Sequence, residues 1–287
     1  MKAYKEVCSS DAGLFFKELK TDCNYKHIFR GQPDPKWAVN SSLSRKLLAE
    51  KKLINSKAHT KITEKYKVTL KKELNLKGGT FYDKPFYHLL QHYGAPTNLL
   101  DWTMDPDMAL YFSIFKTEPN EECEKILKNW GGIQRFCLYC MKINSEMVDK
   151  KQADHEEGCL SVYDPMNFLL WNKEDAKHHK EIYSAPELKK LNERMQNQKG
   201  LFTYHSQLDG RFCVKDYFQN RKANEDYQDN NIRLDTYLVE IDVSNAMNLF
   251  NEFHRAYHSV FSASEQKIHG ICKKYEQEIR SRFSYNR

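Results

Sequence analysis

Residues 91–115, QHYGAPTNLLDWTMDPDMALYFSIF, place a histidine, a Gly-Ala-Pro turn, Asp-Trp-Thr and Asp-Pro directly ahead of an apolar run. Packing alone asks only for the apolar run. Gly94 closes the preceding PFYHLLQHY segment where a left-handed helix cap sits, so that segment reads as a helix. TNLLDWT reads as a short strand. DPDMALYFSIFK then starts a second helix, with Asp105 as its cap and Pro106 at its first position.

Working outward, GGIQRFCLYCMKI, GLFTY and TYLVEIDVS read as further strands. NAMNLFNEFHRAYHSVF and EQKIHGICKKYEQEIRSRF read as closing helices. Upstream, SSDAGLFFKELK carries a helix-start signal, and YKHIFRGQ reads as a short strand broken by Gly31 before the turn that Pro33-Asp34-Pro35 imposes. A lysine-rich helical region follows to about residue 77, where Gly78-Gly79 ends it. The polar stretch 173–197 reads as partly helical. The expected class is α+β, a single domain over 1–287 with a core at about 25–205 and a strand and helices after it.

At 287 residues and 40% hydrophobic content, the chain can bury a sizeable core. No apolar run approaches the roughly 18 to 20 residues of a bilayer span, and the first residues lack a secretory pattern, so a cytoplasmic protein with no membrane partner is expected. Eight scattered cysteines point to reduced thiols. Cys137 and Cys140 sit in an apolar strand pattern without a second ligand pair, and His178-His179 sits in a charged segment, so no metal is expected. The net charge of +6 is mild, and the basic residues gather in 45–77, which reads as a solvated helix face or, less commonly, a surface for a polyanion.

Three blocks occur in order: FRGQPDPKWAVNSSLSR (29–45), LLQHYGAPTNLLDWTMDPDMALYFSIF (89–115) and RMQNQKGLFTYH (194–205). Together they resemble the FRG domain, a family named for its Phe-Arg-Gly. Its architecture is similar to that of ADP-ribosyltransferases, which implies a core of short, mainly antiparallel strands. The resemblance further implies a first-strand arginine at Arg30, a strand-ending Thr103 ahead of Ala109 and Phe112, and a late-strand polar residue at Gln198. Transferases of that class commonly carry a glutamate there, and this chain has glutamine.

The implied reaction breaks the nicotinamide–ribose bond of NAD through an oxocarbenium-like transition state. Arg30 is then the anchor for phosphate or ribose, and Gly31 lets the backbone approach. Tyr93, Trp102 and Tyr111 form the aromatic slot beside Thr103. Asp101 or Gln198 holds a ribose hydroxyl, and His92 moves a proton. Each has a structural alternative: Arg30 as the buried partner of Asp101, the aromatics as core, His92 as a capped helix end. The expected protein is an NAD-dependent transferase, a toxin or antiphage effector acting on nucleic acid, RNA before DNA, with an antitoxin or inhibitor protein as a further partner. The alternatives are a protein-modifying transferase and a non-catalytic nucleotide- or nucleic-acid-binding module.

Overall fold

A computed structural model describes residues 26–75, 83–115, 121–143, 160–163, 197–205, 233–253 and 263–285, with parts of 5–18 and 213–218. Of the helix expected over 9–20, Leu14, Phe15, Lys17 and Glu18 are described and are helical, while the polar stretch 173–197, including His178 and His179, lies outside the described residues up to its last position.

The described residues form nine strands and seven helices. In chain order they are β1 (Lys5–Val7), β2 (Lys26–Gln32), α1 (Ser42–Glu50), β3 (Lys52–Ile54), α2 (Ser56–Glu73), α3 (Asp83–His92), β4 (Leu99–Thr103), α4 (Pro106–Phe115) and α5 (Glu121–Lys128). Then come β5 (Gln134–Ile143), β6 (Leu160–Tyr163), β7 (Gly200–His205), β8 (Arg233–Ile241), α6 (Val243–Phe253), α7 (Ala263–Ser281) and β9 (Phe283–Tyr285). Seven strands form one sheet in the order β1-β8-β5-β2-β4-β7-β6, antiparallel except for the β1–β8 pair. The α+β class and the mainly antiparallel strands therefore hold.

Three apolar clusters pack around this sheet. The first joins α1, α2, α3 and α7 over Leu99 and Phe202. The second lays α4 and α6 over Phe29, Leu138 and Val239. The third covers the opposite side chains of the same strands, Ile28, Tyr139 and Met141, together with Leu100 and Trp102. Alternation along β2 and β5 is the cause, because successive side chains leave opposite faces of a strand. Each fully buried leucine or phenylalanine contributes roughly 1.5 to 3 kcal/mol.

The local signals around 91–115 hold. Gly94 has φ +81°, the left-handed conformation that closes α3. The Asp105 carboxylate accepts from the Asp107 amide at 3.1 Å, capping α4. Cys137 and Cys140 are buried free thiols on β5.

Three expectations are corrected. Gly31 does not break β2, which pairs with β5 from Lys26↔Ile143 through Gly31↔Leu138 to Gln32↔Cys137. Its glycine serves close packing: a Cβ there would lie 1.8 Å from the Ala109 carbonyl oxygen of α4. The lysine-rich region forms two helices, and the strand between them was not expected. Lys51 adopts the left-handed conformation after α1, and the chain then extends as β3 before Asn55 caps α2. Finally, the last helix gives way to β9, which pairs antiparallel with β3 from Lys52↔Tyr285 to Ile54↔Phe283. Pairing of residues so far apart in sequence leaves no local signature.

Candidate functional site

The site begins where the sheet splits. β2 pairs with β5 along its whole length but meets β4 at one register position, Phe29↔Thr103. Next to that divergence lies a cavity of about 850 Å³, lined from β2, α1, α3, β4, α4 and β7. Ligand pockets commonly occupy about 300 to 1,000 Å³.

Arg30 bridges the diverging strands. Its Nη1 donates to the backbone carbonyl oxygen of Asp101 at 2.8 Å. The nearest contact with the Asp101 carboxylate is looser, 3.9 Å to Oδ2, and that carboxylate is 63% exposed while the Arg30 side chain is 17% exposed. Burial pulls the Arg30 pKa down to about 10; Asp101 opposes the fall and Arg45 adds to it. The cation is thus held against a desolvation cost, inside a cavity whose described lining contains Asp101 as its one carboxylate.

Asp101 is oriented from α3. Gln91 donates from Nε2 to Asp101 Oδ1 at 2.7 Å, and the Thr97 hydroxyl donates to Gln91 Oε1. Gln91 is thereby locked between strand and turn.

Thr103 organises the opposite wall. Its hydroxyl donates to the Gln198 carbonyl at 2.6 Å and accepts from the Asp105 amide at 3.0 Å. Lys199, at φ +45°, pairs with Asp105 at 2.8 Å, and the Met104 amide donates to the Lys199 carbonyl at 3.0 Å. Three of these contacts hold the turn that carries Gln198 against the end of β4. Trp102 donates its indole N–H to the Thr203 hydroxyl at 3.0 Å on the neighbouring strand.

Of the residues singled out by sequence, Arg30, Gly31, His92, Asp101, Trp102, Thr103 and Gln198 line the cavity. Tyr93 and Tyr111 do not. Tyr93 belongs to the first core cluster, and Tyr111 is fully buried in the second, where desolvation drives its phenol pKa upward. Both tyrosines point into apolar packing, as bulky residues on helix faces do. The aromatic character of the cavity comes instead from Phe29, Trp37, Phe112 and Phe202 beside Trp102.

Sequence reading missed Gln32, Trp37, Asn40, Arg45 and Gln91 as lining residues. Their signal was positional, since all lie within or beside the FRGQPDPKWAVNSSLSR and LLQHYG blocks. Among the lining residues, Arg30 Nε, Gln32 Oε1, Asn40 Oδ1 and Gln198 Nε2 are buried without an internal hydrogen-bond partner. An unmade hydrogen bond of this kind costs about 1 to 3 kcal/mol. Four around one cavity is a concentration of unspent hydrogen-bonding capacity.

Several lysines of the basic region are engaged within the chain: Lys46 with Glu276, Lys52 with Glu50, Lys65 with Glu278 and Lys67 with Glu64. Lys51, Lys57, Lys61 and Lys72 are exposed. Among the described residues no group of three His, Cys, Asp or Glu could hold a metal, and no helix is long and apolar enough to cross a membrane.

No curated protein and no solved structure matches the chain. Residues 25–122 match the FRG domain family model, and that segment supplies the described cavity lining except Gln198 and Gly200, Leu201 and Phe202 of β7.

Proposed function

We propose that the cavity binds NAD and that the protein transfers its ADP-ribose to an acceptor, with nucleic acid, and RNA before DNA, as the acceptor class. The observation that carries this reading is the buried Arg30 cation beside the unsatisfied polar atoms of Gln32, Asn40 and Gln198, in a cavity whose wall also carries aromatic and aliphatic side chains. An anionic ligand with sugar hydroxyls and an amide has the complementary chemistry. It offers negative charge to Arg30 and both donors and acceptors to Gln32, Asn40 and Gln198.

In this reading the bond from nicotinamide nitrogen to the ribose anomeric carbon breaks, and its electron pair leaves with nicotinamide. The acceptor nucleophile forms the new bond at that carbon and loses a proton. Arg30 holds the anionic part of the substrate and fixes the ribose in line. Asp101, kept in place by Gln91, faces the positive charge that develops on the ribose and holds a ribose hydroxyl. His92, at the end of α3, takes the acceptor's proton. Phe112 and Trp102 exclude water from the ring that departs. Such an activity fits an effector, a toxin or antiphage protein, kept in check by an inhibitor protein.

A second reading is favoured by one observation. Asp101 is the one carboxylate among the described lining residues and is largely exposed, and a glutamine stands at position 198. A non-catalytic nucleotide-binding module on the same cavity accounts for both. Incubation with NAD labelled in its adenylate half, followed by separate nuclease and protease digestion, separates the readings. Label in nuclease-sensitive material supports the proposal. Label confined to protein corrects the acceptor, and NAD binding without any transfer or hydrolysis establishes the binding module.

A further inference from the structure

We propose that Arg45 and Arg30 form a two-arginine clamp for the diphosphate of a nucleoside diphosphate group, Arg45 reaching it from α1 and Arg30 from β2. The inference rests on the nucleotide reading of the cavity but not on catalysis.

Both guanidiniums belong to one lining. Among the described lining residues Asp101 is the only acidic one, and its carboxylate is already shared with Gln91. One carboxylate against two guanidiniums leaves a formal excess of one positive charge in a partly desolvated space. Burial lowers the pKa of both arginines, and Arg45 lowers that of Arg30 further, so the two cations sense each other. A diphosphate removes that repulsion and accepts from both planar forks.

Helix geometry explains how Arg45 is presented. Arg45, Leu48 and Ala49, spaced i, i+3 and i+4, line the cavity from one face of α1. Lys46 and Glu50, one position further on, are tied to α7 through Glu276 and through Arg280 at 2.9 Å. The Arg45 Nη1 also donates to the Asn40 carbonyl at 2.5 Å, which fixes the fork and leaves its remaining N–H groups for a ligand. α7 therefore sets the rotation of α1, and with it the position of Arg45. The apolar neighbours Trp37, Leu48 and Phe112 favour a nucleoside over a bare anion.

Calorimetric titration of the full chain with ADP, inorganic pyrophosphate and adenosine tests the clamp. The wild-type protein should bind ADP and pyrophosphate. Arg45→Gln should weaken both about tenfold or more while leaving adenosine unchanged, and Arg45→Lys should recover part of the loss. A wild-type protein that binds neither anion overturns the proposal. So does an Arg45→Gln protein with unchanged ADP affinity, or one that loses ADP and adenosine alike. If Arg45→Gln melts early, Arg45→Lys decides: undiminished affinity for ADP then rejects the need for a second fork. Failure of label transfer from NAD in a protein that passes these titrations counts against the transferase reading alone.

Discussion

The Arg30 guanidinium reaches the backbone carbonyl oxygen of Asp101 at 2.8 Å, while the Asp101 carboxylate stays 3.9 Å away and mostly in solvent. Any residue at position 101 supplies that carbonyl. The two side chains are therefore structurally less dependent on each other than a buried ion pair would be.

Asp101→Asn should accordingly keep the melting temperature within a few degrees, where loss of one partner from a buried pair would cost roughly 3 to 5 kcal/mol. On the proposed reading, in which the lost charge faces the reacting ribose, transfer from NAD should fall about tenfold or more. Thermal melts run beside label transfer from NAD check both halves. A large drop in melting temperature would restore the structural ion pair as the role of Asp101.

If the cavity takes NAD as proposed, Arg30→Lys should fold but lose NAD binding and activity together. A lysine ammonium lacks the planar fork that can hold the Asp101 carbonyl and a ligand at once. Retention of full activity in this variant would remove Arg30 from the site.

Gly31→Ala should destabilise the protein by on the order of 3 kcal/mol, or push α4 off the sheet. The new Cβ would lie 1.8 Å from the Ala109 carbonyl oxygen and 2.9 Å from Ser113 Cβ. Backbone strain is not the cause, because Gly31 continues the ladder as ordinary strand. Denaturant unfolding measures the loss. A midpoint equal to that of the wild type would show that the contact can relax freely.

Stability should fall in acid through the contacts of α7. Hydrogen bonds from Lys52 and Arg280 hold Glu50, and those from Lys65 and Tyr66 hold Glu278, below the usual carboxylate range. A carboxylate whose folded pKa is depressed binds its proton more readily in the unfolded chain. Its stabilising contribution is complete above about pH 4.5, the ordinary value, and is lost as pH falls through the lower folded value. Melting curves from pH 3 to pH 7 should therefore decline on the acid side, and Glu278→Gln should make that decline shallower. Equal acid slopes for the two proteins would mean that the Glu278 contacts do not tie α7 to α2 in solution.

If the acceptor is nucleic acid, its apparent affinity should fall linearly in log salt. Neutralising the exposed Lys51, Lys57, Lys61 and Lys72 should flatten the slope by up to about 0.7 per lysine for a single strand. Replacing Lys52, which pairs with Glu50 at 3.1 Å, should change it little. A slope indifferent to all four exposed lysines would move the acceptor surface elsewhere.

What the sequence determined by itself was local. The Asp105 cap, Pro106 at the first turn of α4, the left-handed Gly94 and the apolar alternation of β5 are each dictated within a few residues, because backbone sterics and capping hydrogen bonds act at that range. Arg30, Asp101, Thr103 and Gln198 were legible as polar groups set against apolar segments, and all four line the cavity. The tertiary structure decided the rest. Tyr111 and Phe112 are neighbours on α4, yet Tyr111 fills the core and Phe112 reaches the cavity. Side-chain pattern fixes which face of an element is apolar but not whether that face meets a neighbour or an open space. The opening depends on β2 and β4 diverging after one paired position, and Arg45 reaches it because α7, more than 200 residues away in the chain, holds the other side of α1. Contacts of that separation leave no trace in local pattern, because the energy that selects them comes from surfaces buried only once the whole chain has closed.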